Sequence, residues 1–231
     1  MQFANVPKHI GFIMDGNGRW AKLKGQPRAK GHIAGLNRVD DVLQLCQKYG
    51  VQYVSLFVFS TENWSRPQSE VDHLFDLARC YLKKSKSFLK RDIKVLVSGK
   101  KERLPEDLVD EIEKIQQQTK ECKSLVLNLC INYGGRDEIV YAVNKILSLG
   151  KQIDEKTISA CLYNQLPELD LVVRTSGEMR LSNFMLFQAA YAELYFTQAM
   201  WPDFDESEFV CMLESYNKRE RKFGDIKINE K

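Results

Sequence analysis

No stretch of this 231-residue chain approaches the ~20 consecutive apolar residues that a membrane span needs. Its first residues lack a basic segment followed by a long apolar one, so no signal peptide is expected. Cysteine occurs six times, at Cys46, Cys80, Cys122, Cys130, Cys161 and Cys211, but never as a CxxC pair, and several fall in apolar runs. Neither a disulfide scaffold nor a zinc site is expected; free, buried thiols in a reducing cytosol are. Charge of one sign is not in excess, since the formal net charge is +3. That argues against a nucleic-acid partner and makes any anion site local. Repeats, low-complexity tracts and interdomain linkers are also missing. What is present, 44% hydrophobic and 28% charged residues, predicts a soluble, cytoplasmic, single domain over 1–231 with a real core. The basic tail after Arg219 is expected to be partly mobile.

Short apolar runs alternate with longer amphipathic segments. Strands are expected at Ile10–Met14, Tyr53–Phe59, Ile93–Val97, Leu125–Ile131, Leu169–Val173 and Leu194–Phe196. Apolar spacings of three and four predict helices over 68–90, 105–121 and 136–149. A last helix should begin at Asp205, with Glu208 completing a capping box. This βαβα order predicts an α/β fold, a mostly parallel central sheet flanked by helices. In such sheets ligands gather beyond the carboxyl ends of the strands. Four loops fit: Asp15–Arg19, Ser60–Pro67, Asn132–Arg136 and Arg174–Asn183. The helix at 68–90 carries a long aromatic and aliphatic stripe, readable as core or as one wall of an apolar tunnel.

The first loop is the most informative. Ile10 to Met14 read as a buried strand, Asp15 ends it, and Gly16-Asn17-Gly18 lead into a helical stretch opened by Arg19-Trp20. Glycines between strand and helix let backbone N–H groups close on a phosphate. Asp15 is out of place there, because like charges ~4 Å apart at an effective dielectric near 20 repel by about 4 kcal/mol. It implies a cation or a chemical role. Gly16 to Ala21 match GxGxxA, but no acid ends the second strand to take a ribose hydroxyl, which argues against a dinucleotide. Aspartyl phosphohydrolases carry a second Asp two residues on, where this chain has Asn17. Arg28 and His32, one helical turn apart, suit a phosphate. Arg174, Arg180 and Ser182 around Gly177 suit a second diphosphate. Glu193, in an apolar strand, is either a second carboxylate for a hard cation or half of a salt bridge.

These residues resemble the cis-prenyltransferases, and within them the undecaprenyl diphosphate synthases of bacteria. Five blocks carry the likeness: His9–Trp20 with Arg28, Gly31 and His32; Phe57–Pro67; Asn128–Arg136; Asp170–Asn183; and Tyr191–Asp205. The resemblance implies a parallel sheet with a hydrophobic tunnel, and repeated addition of isopentenyl diphosphate to an allylic diphosphate, usually farnesyl diphosphate. The expected product is a cis-polyprenyl diphosphate such as undecaprenyl diphosphate, the lipid-carrier precursor for cell-wall polysaccharide. It implies Mg2+ on Asp15, with Glu193 supporting the metal across a homodimer interface, and Asn63 beside Asp15 in catalysis. Gly16, Asn17, Gly18, Arg19, Trp20, Arg28 and His32 would hold the allylic diphosphate. Arg174, Arg180 and Ser182 would hold isopentenyl diphosphate, while Phe59, Ser60, Glu62, Trp64 and Arg66 shape the site. So apolar a product implies transient peripheral contact with the inner face of a membrane. Two positions depart from the family: Met179 stands where some relatives have His, and Lys222-Phe223-Gly224 replaces an Arg-x-Gly motif. A non-catalytic accessory subunit of a prenyltransferase heteromer is the alternative, although such subunits are expected to lose Asp15 and Arg19. A diphosphate phosphohydrolase is the third reading.

Overall fold

The computed structural model describes residues 3–219. The predicted roles of Arg221, Lys222 and Gly224 lie outside them. The strands are β1 (His9–Ile13), β2 (Tyr53–Ser60), β3 (Ile93–Ser98), β4 (Leu125–Tyr133), β5 (Leu171–Arg174) and β6 (Glu193–Phe196). All pair in parallel, in the order β3-β4-β2-β1-β5-β6. Every residue of β1 and β5 is buried, as a sheet covered on both faces requires. Successive side chains divide between the faces. Ile10, Phe12, Val54, Leu56, Leu171 and Val173 join the larger core, whereas Ile13, Cys130 and Val172 join a smaller one.

The helices are α1 (Asn17–Leu23), α2 (Arg28–Tyr49), α3 (Gln68–Leu82), α4 (Ser85–Lys90), α5 (Glu106–Gln118), α6 (Gly135–Ser148), α7 (Glu155–Cys161) and α8 (Glu206–Asn217). α2, α3, α5 and α8 bury Val42, Phe75, Ile112 and Met212 in the larger core. Across the sheet, α6 and α7 bury Ala142, Ile146 and Cys161 together. Side chains such as Phe12 and Phe204, both 0% exposed, each contribute roughly 1.5–3 kcal/mol of transfer free energy. Of the six thiols, four are buried and Cys80 and Cys211 are exposed; all are free.

Three expectations need correction. The helix predicted over 68–90 is two helices, broken at Lys83 and Lys84. The break turns α4 so that Phe88, 1% exposed, reaches the core beneath β3. Asp205 does cap α8 by accepting from Glu208 N at 3.1 Å. The Glu208 carboxylate, however, accepts from Thr197 Oγ1 at 2.8 Å instead of reaching back to close the box. Finally, the first helix starts at Asn17 rather than Arg19.

Strand order positions the site. From β1 the chain proceeds to β2 on one side, while β5, on the other side of β1, leads away to β6. The loops after β1 and β5 therefore diverge and leave a crevice between them, the usual ligand position in an open α/β sheet.

Candidate functional site

All four loops singled out in the sequence line one cavity of about 860 Å3 at the carboxyl edge of the sheet, within the ~300–1,000 Å3 typical of small-molecule sites. Its mouth is polar, formed by Asp15 to Arg19, Arg28, His32, Ser60, Glu62, Asn63, Arg66, Arg136, Arg174, Ser182 and Asn183.

Asp15 and Arg174 meet across the crevice. The strand ends are in register, Ile13 beside Arg174, so the side chain that closes β5 faces the loop that leaves β1. Arg174, 4% exposed, donates from Nη2 to Asp15 Oδ2 at 2.9 Å. Its Nη1 donates to the Arg180 carbonyl at 2.6 Å and to Ser182 Oγ at 2.7 Å. One guanidinium thus joins the two loops. Thr175 clamps the Asp15 backbone from below, accepting from Asp15 N at 2.9 Å and donating to Asp15 O at 2.7 Å. Gly16 has φ 101°, and a Cβ there would lie 2.7 Å from Ser176 Oγ, so the turn demands glycine. No side chain caps α1, leaving the first N–H groups of that helix toward the mouth. A Cβ on Gly31 would fall 1.9 Å from the Asn17 carbonyl; its absence lets α2 bring Arg28 and His32 against the loop.

Arg28 and His32 do share a face, and what they face was not foreseen. Glu70, on the first turn of α3, accepts from Arg28 Nη2 at 3.1 Å and from Arg66 Nη1 at 2.9 Å, with His32 Nε2 3.7 Å away. Burial pushes the Glu70 carboxyl up, but the Arg28 hydrogen bond and the charges of Arg28, Arg66 and His32 outweigh it and hold it below its usual value. Burial lowers His32 to about 4, against the attraction of Glu70. The ring is therefore neutral at pH 7.

The loop after β2 forms a short 3-10 helix, Thr61–Ser65. Asn63 Oδ1 accepts from Ser60 N at 3.1 Å, and Glu62 accepts from Asn183 Nδ2 at 2.9 Å. Burial raises the Glu62 carboxyl, yet hydrogen bonds led by Asn183 bring it below its ordinary value. Asn183 also takes the first N–H groups of α6, from Gly135 and Arg136, and so ties three loops together. Trp64 and Phe59 lie behind the lining. Trp64 packs on Phe59 and Phe75 and donates to Asn132 Oδ1 at 2.8 Å.

Some predicted site residues stand apart. Trp20 turns outward and donates to Asp203 at 2.7 Å. Arg180 and its neighbour Glu178 pair at 2.5 Å, and the Arg180 side chain is 59% exposed outside the cavity lining. Met179 is exposed. Glu193 begins β6 beside Leu171, three residues or roughly 10 Å along the strands from Arg174, and accepts from Arg219 Nη1 at 2.6 Å. Within one chain it does not reach Asp15.

Glu70, Arg136, Asn132 and Asn183 were not named as site residues from sequence. Arg66 and Glu70, four apart at a helix start, were the available signal for the first. Arg136 lines the mouth with no ion pair among the described residues.

Two further features bear on a ligand. Seven buried side-chain polar atoms lack a partner among the described residues. Three of them, Asn17 Oδ1, His32 Nε2 and Arg174 Nε, belong to residues that line the cavity, and a fourth, Ser176 Oγ, lies beside Gly16. Orphans concentrated this way mark groups awaiting a partner. The cavity then deepens into an apolar tunnel lined by Leu36, Val39, Leu56, Val58, Leu129 and Ile131, with Leu74, Leu77, Ala78, Tyr81 and Leu82 of α3. α3 is both core and tunnel wall: Val71 and Phe75 belong to the core alone, whereas Ala78, Tyr81 and Leu82 belong to the core and also line the tunnel.

Residues 13–224 match the prenyltransferase family model described as "Putative undecaprenyl diphosphate synthase". An isoprenyl transferase of Fusobacterium nucleatum is 51% identical over 225 residues, 96% of this chain and 98% of that protein. One of Aquifex aeolicus is 44% identical over 224 residues, 96% and 97% of the respective chains. Among solved structures, lavandulyl diphosphate synthase of Lavandula x intermedia, in complex with dimethylallyl diphosphate, superposes with a TM-score of 0.90 at 34% identity. That match covers 95% of this chain and 98% of that one. A probable undecaprenyl diphosphate synthase of Campylobacter jejuni gives 0.84 at 32% identity, covering 96% and 100%.

Proposed function

The chain belongs to this undecaprenyl diphosphate synthase family of prenyltransferases, and from that premise we propose that it extends an allylic diphosphate, farnesyl diphosphate in the first instance, by successive cis additions of isopentenyl diphosphate. The observation that carries the proposal is the continuity of one cavity. A mouth with two basic centres, one around Arg28 and one around Arg174, opens directly into an apolar tunnel. A diphosphate held at the first centre would lay its hydrocarbon tail along α3. A second, at Arg174 and Ser182, would bring its isopentenyl group to the tunnel entrance.

In each cycle the allylic C–O bond breaks, a C–C bond forms to isopentenyl diphosphate, and a proton and inorganic diphosphate leave. The donors match these demands. The free N–H groups at the start of α1, with Arg19 and Arg28, would hold the leaving diphosphate, and His32 would turn its unpartnered Nε2 to the same anion. Arg174, Ser182 and, by a rotation away from Glu178, Arg180 would hold the second. Asn63, Ser60, Glu62 and Arg66 would order the loop over both, with Phe59 and Trp64 supporting it. Trp20 would act from outside, bracing the loop against Asp203.

Mg2+ fits this donor set. It is commonly held by one or two carboxylates, substrate phosphates and waters rather than by an all-protein cage. Asp15 offers a carboxylate 32% exposed at the mouth. When bound, the ion would supply Lewis-acid stabilisation of charge on the departing diphosphate. Asp15 would hold it there, and Arg174 keeps the carboxylate aimed. The homodimer belongs to the proposal as well: β6 is an edge strand with Leu194 exposed, and a second copy seated there would bring Glu193 to an interface. So does peripheral membrane contact during product release, since so apolar a product must leave toward lipid; among the described residues no helix is long and apolar enough to cross a bilayer. The undecaprenyl product and its cell-wall role complete the proposal.

The discriminating experiment follows inorganic diphosphate release from purified protein. Release that requires both substrates together supports condensation. Phosphate or diphosphate released from either substrate alone would support hydrolysis instead.

A further inference from the structure

The far end of the tunnel is closed by polar groups. Tyr81 and Leu82, on the last turn of α3 and away from Glu70 on its first, line it, with Val39 of α2 also in the lining. Immediately behind them Asp40, next to Val39 on α2, accepts from Tyr81 Oη at 3.2 Å and from Lys84 Nζ at 2.8 Å. Arg91 Nη1 stands 4.0 Å from the same carboxylate and is held there by Gln47. Lys84 also lies over the Tyr81 ring, 5.1 Å from its centre. The cluster sits where α3 breaks, at Lys83 and Lys84. From Arg28 at the mouth to Asp40 is twelve residues of α2, roughly 18 Å of helix.

We propose that Asp40, Tyr81 and Lys84 form a latch between α2 and the α3–α4 break that closes the tunnel and limits the length of chain it accommodates. An apolar floor packed into the core could yield only by opening a void. This floor is different. The Tyr81 ring lines the tunnel and packs with the core on Phe88, but its hydroxyl rests on a carboxylate that water already reaches: the Asp40 and Lys84 side chains are 30% and 39% exposed. An ion pair so exposed is a weak closure. A helix break beside it supplies backbone able to move without breaking a continuous ladder. A chain long enough to press on Tyr81 would part the latch and emerge among the exposed Lys83, Lys86, Leu89 and Lys90. This inference rests on the tunnel being the chain site, and it names what ends it.

The test separates the latch from the reaction. Calorimetry would measure the binding of n-alkyl diphosphates of increasing length to wild type, Asp40→Asn, Lys84→Met and Tyr81→Phe, without turnover. In the wild type, affinity should fall roughly tenfold or more once the tail outgrows the tunnel, the cost of overfilling a packed space. In the latch variants that limit should move to longer tails or vanish, and where elongation is active their products should be longer. Asp41→Asn, which frees only the neighbouring Arg38 pair, should leave the limit in place and controls for general loosening of α2. Tyr81→Phe removes one hydroxyl and covers the case in which a charge variant fails to fold. A limit unchanged in every latch variant, or moved equally by Asp41→Asn, would overturn the inference whether or not the protein elongates chains.

Discussion

Replacing Arg174 with lysine keeps the charge at the junction of the two loops and removes its shape. The guanidinium makes three hydrogen bonds in two directions, to Asp15 on one side and to the Arg180 carbonyl and Ser182 on the other. A lysine ammonium is a point donor on an unbranched stem and can satisfy one side only. Hydrogen bonds involving a charged group are each worth about 1.5–3 kcal/mol. Losing even the single bond on the Asp15 side therefore costs about 1.5–3 kcal/mol, or roughly 10- to 150-fold in kcat/KM. The assay is steady-state incorporation of isopentenyl diphosphate, varying each substrate with the other saturating. The loss should fall on the isopentenyl side, while the KM for the allylic diphosphate, which Arg19 and Arg28 are proposed to hold, should change far less. A thermal melt guards against a folding effect. An Arg174→Lys enzyme within about threefold of wild type in kcat/KM for isopentenyl diphosphate would refute the assignment of its forked donors; on the figures above even the smaller loss exceeds that.

Two further outcomes follow from the backbone and the core. Gly16→Ala puts a Cβ at φ 101° and 2.7 Å from Ser176 Oγ. It should destabilise the fold by about 1–3 kcal/mol and depress turnover more than stability, read by denaturant melts beside rates. His9 is fully buried, donating from Nδ1 to the Pro167 carbonyl and accepting at Nε2 from Ser55. Burial lowers its pKa from 6.5 to about 4, against the pull of the Pro167 bond and Asp170. The unfolded chain thus binds the proton first as pH falls, so the stabilisation is complete above pH 6.5 and is lost on acidification toward pH 4. Wild type should lose about 2 kcal/mol more than His9→Gln between pH 7 and pH 5 in urea titrations; parallel losses would contradict this.

The sheet was legible because a parallel sheet covered on both faces writes its strands as bare apolar runs, and all six appeared within two residues of their observed ends. Convergence of the four loops followed from strand direction alone. α2 was not predicted as a complete helix. Its apolar residues divide between the core, at Val42 and Leu43, and the tunnel, at Leu36, while Gly31 and Gly35 face Asn17; a helix serving three surfaces shows no single stripe. The break after Leu82 escaped notice because the stripe of α3 continues in phase to Phe88, and only tertiary packing turns α4 inward. Glu70 was invisible as the partner of Arg28 because 42 positions separate them. The two acids assigned to the metal fare differently: Asp15 stands at the mouth, whereas Glu193 pairs with Arg219 at the other end of its strand.

Condensation at Asp15 is the reaction on which the proposed function depends. Purified protein given farnesyl diphosphate, labelled isopentenyl diphosphate and Mg2+ should yield labelled, organic-extractable diphosphates several isoprene units longer than the primer. Asp15→Ala, with an unchanged circular dichroism spectrum and a melt within a few degrees, should yield almost none. Wild-type incorporation by the folded Asp15→Ala protein, or no product longer than the primer from wild type, would contradict it.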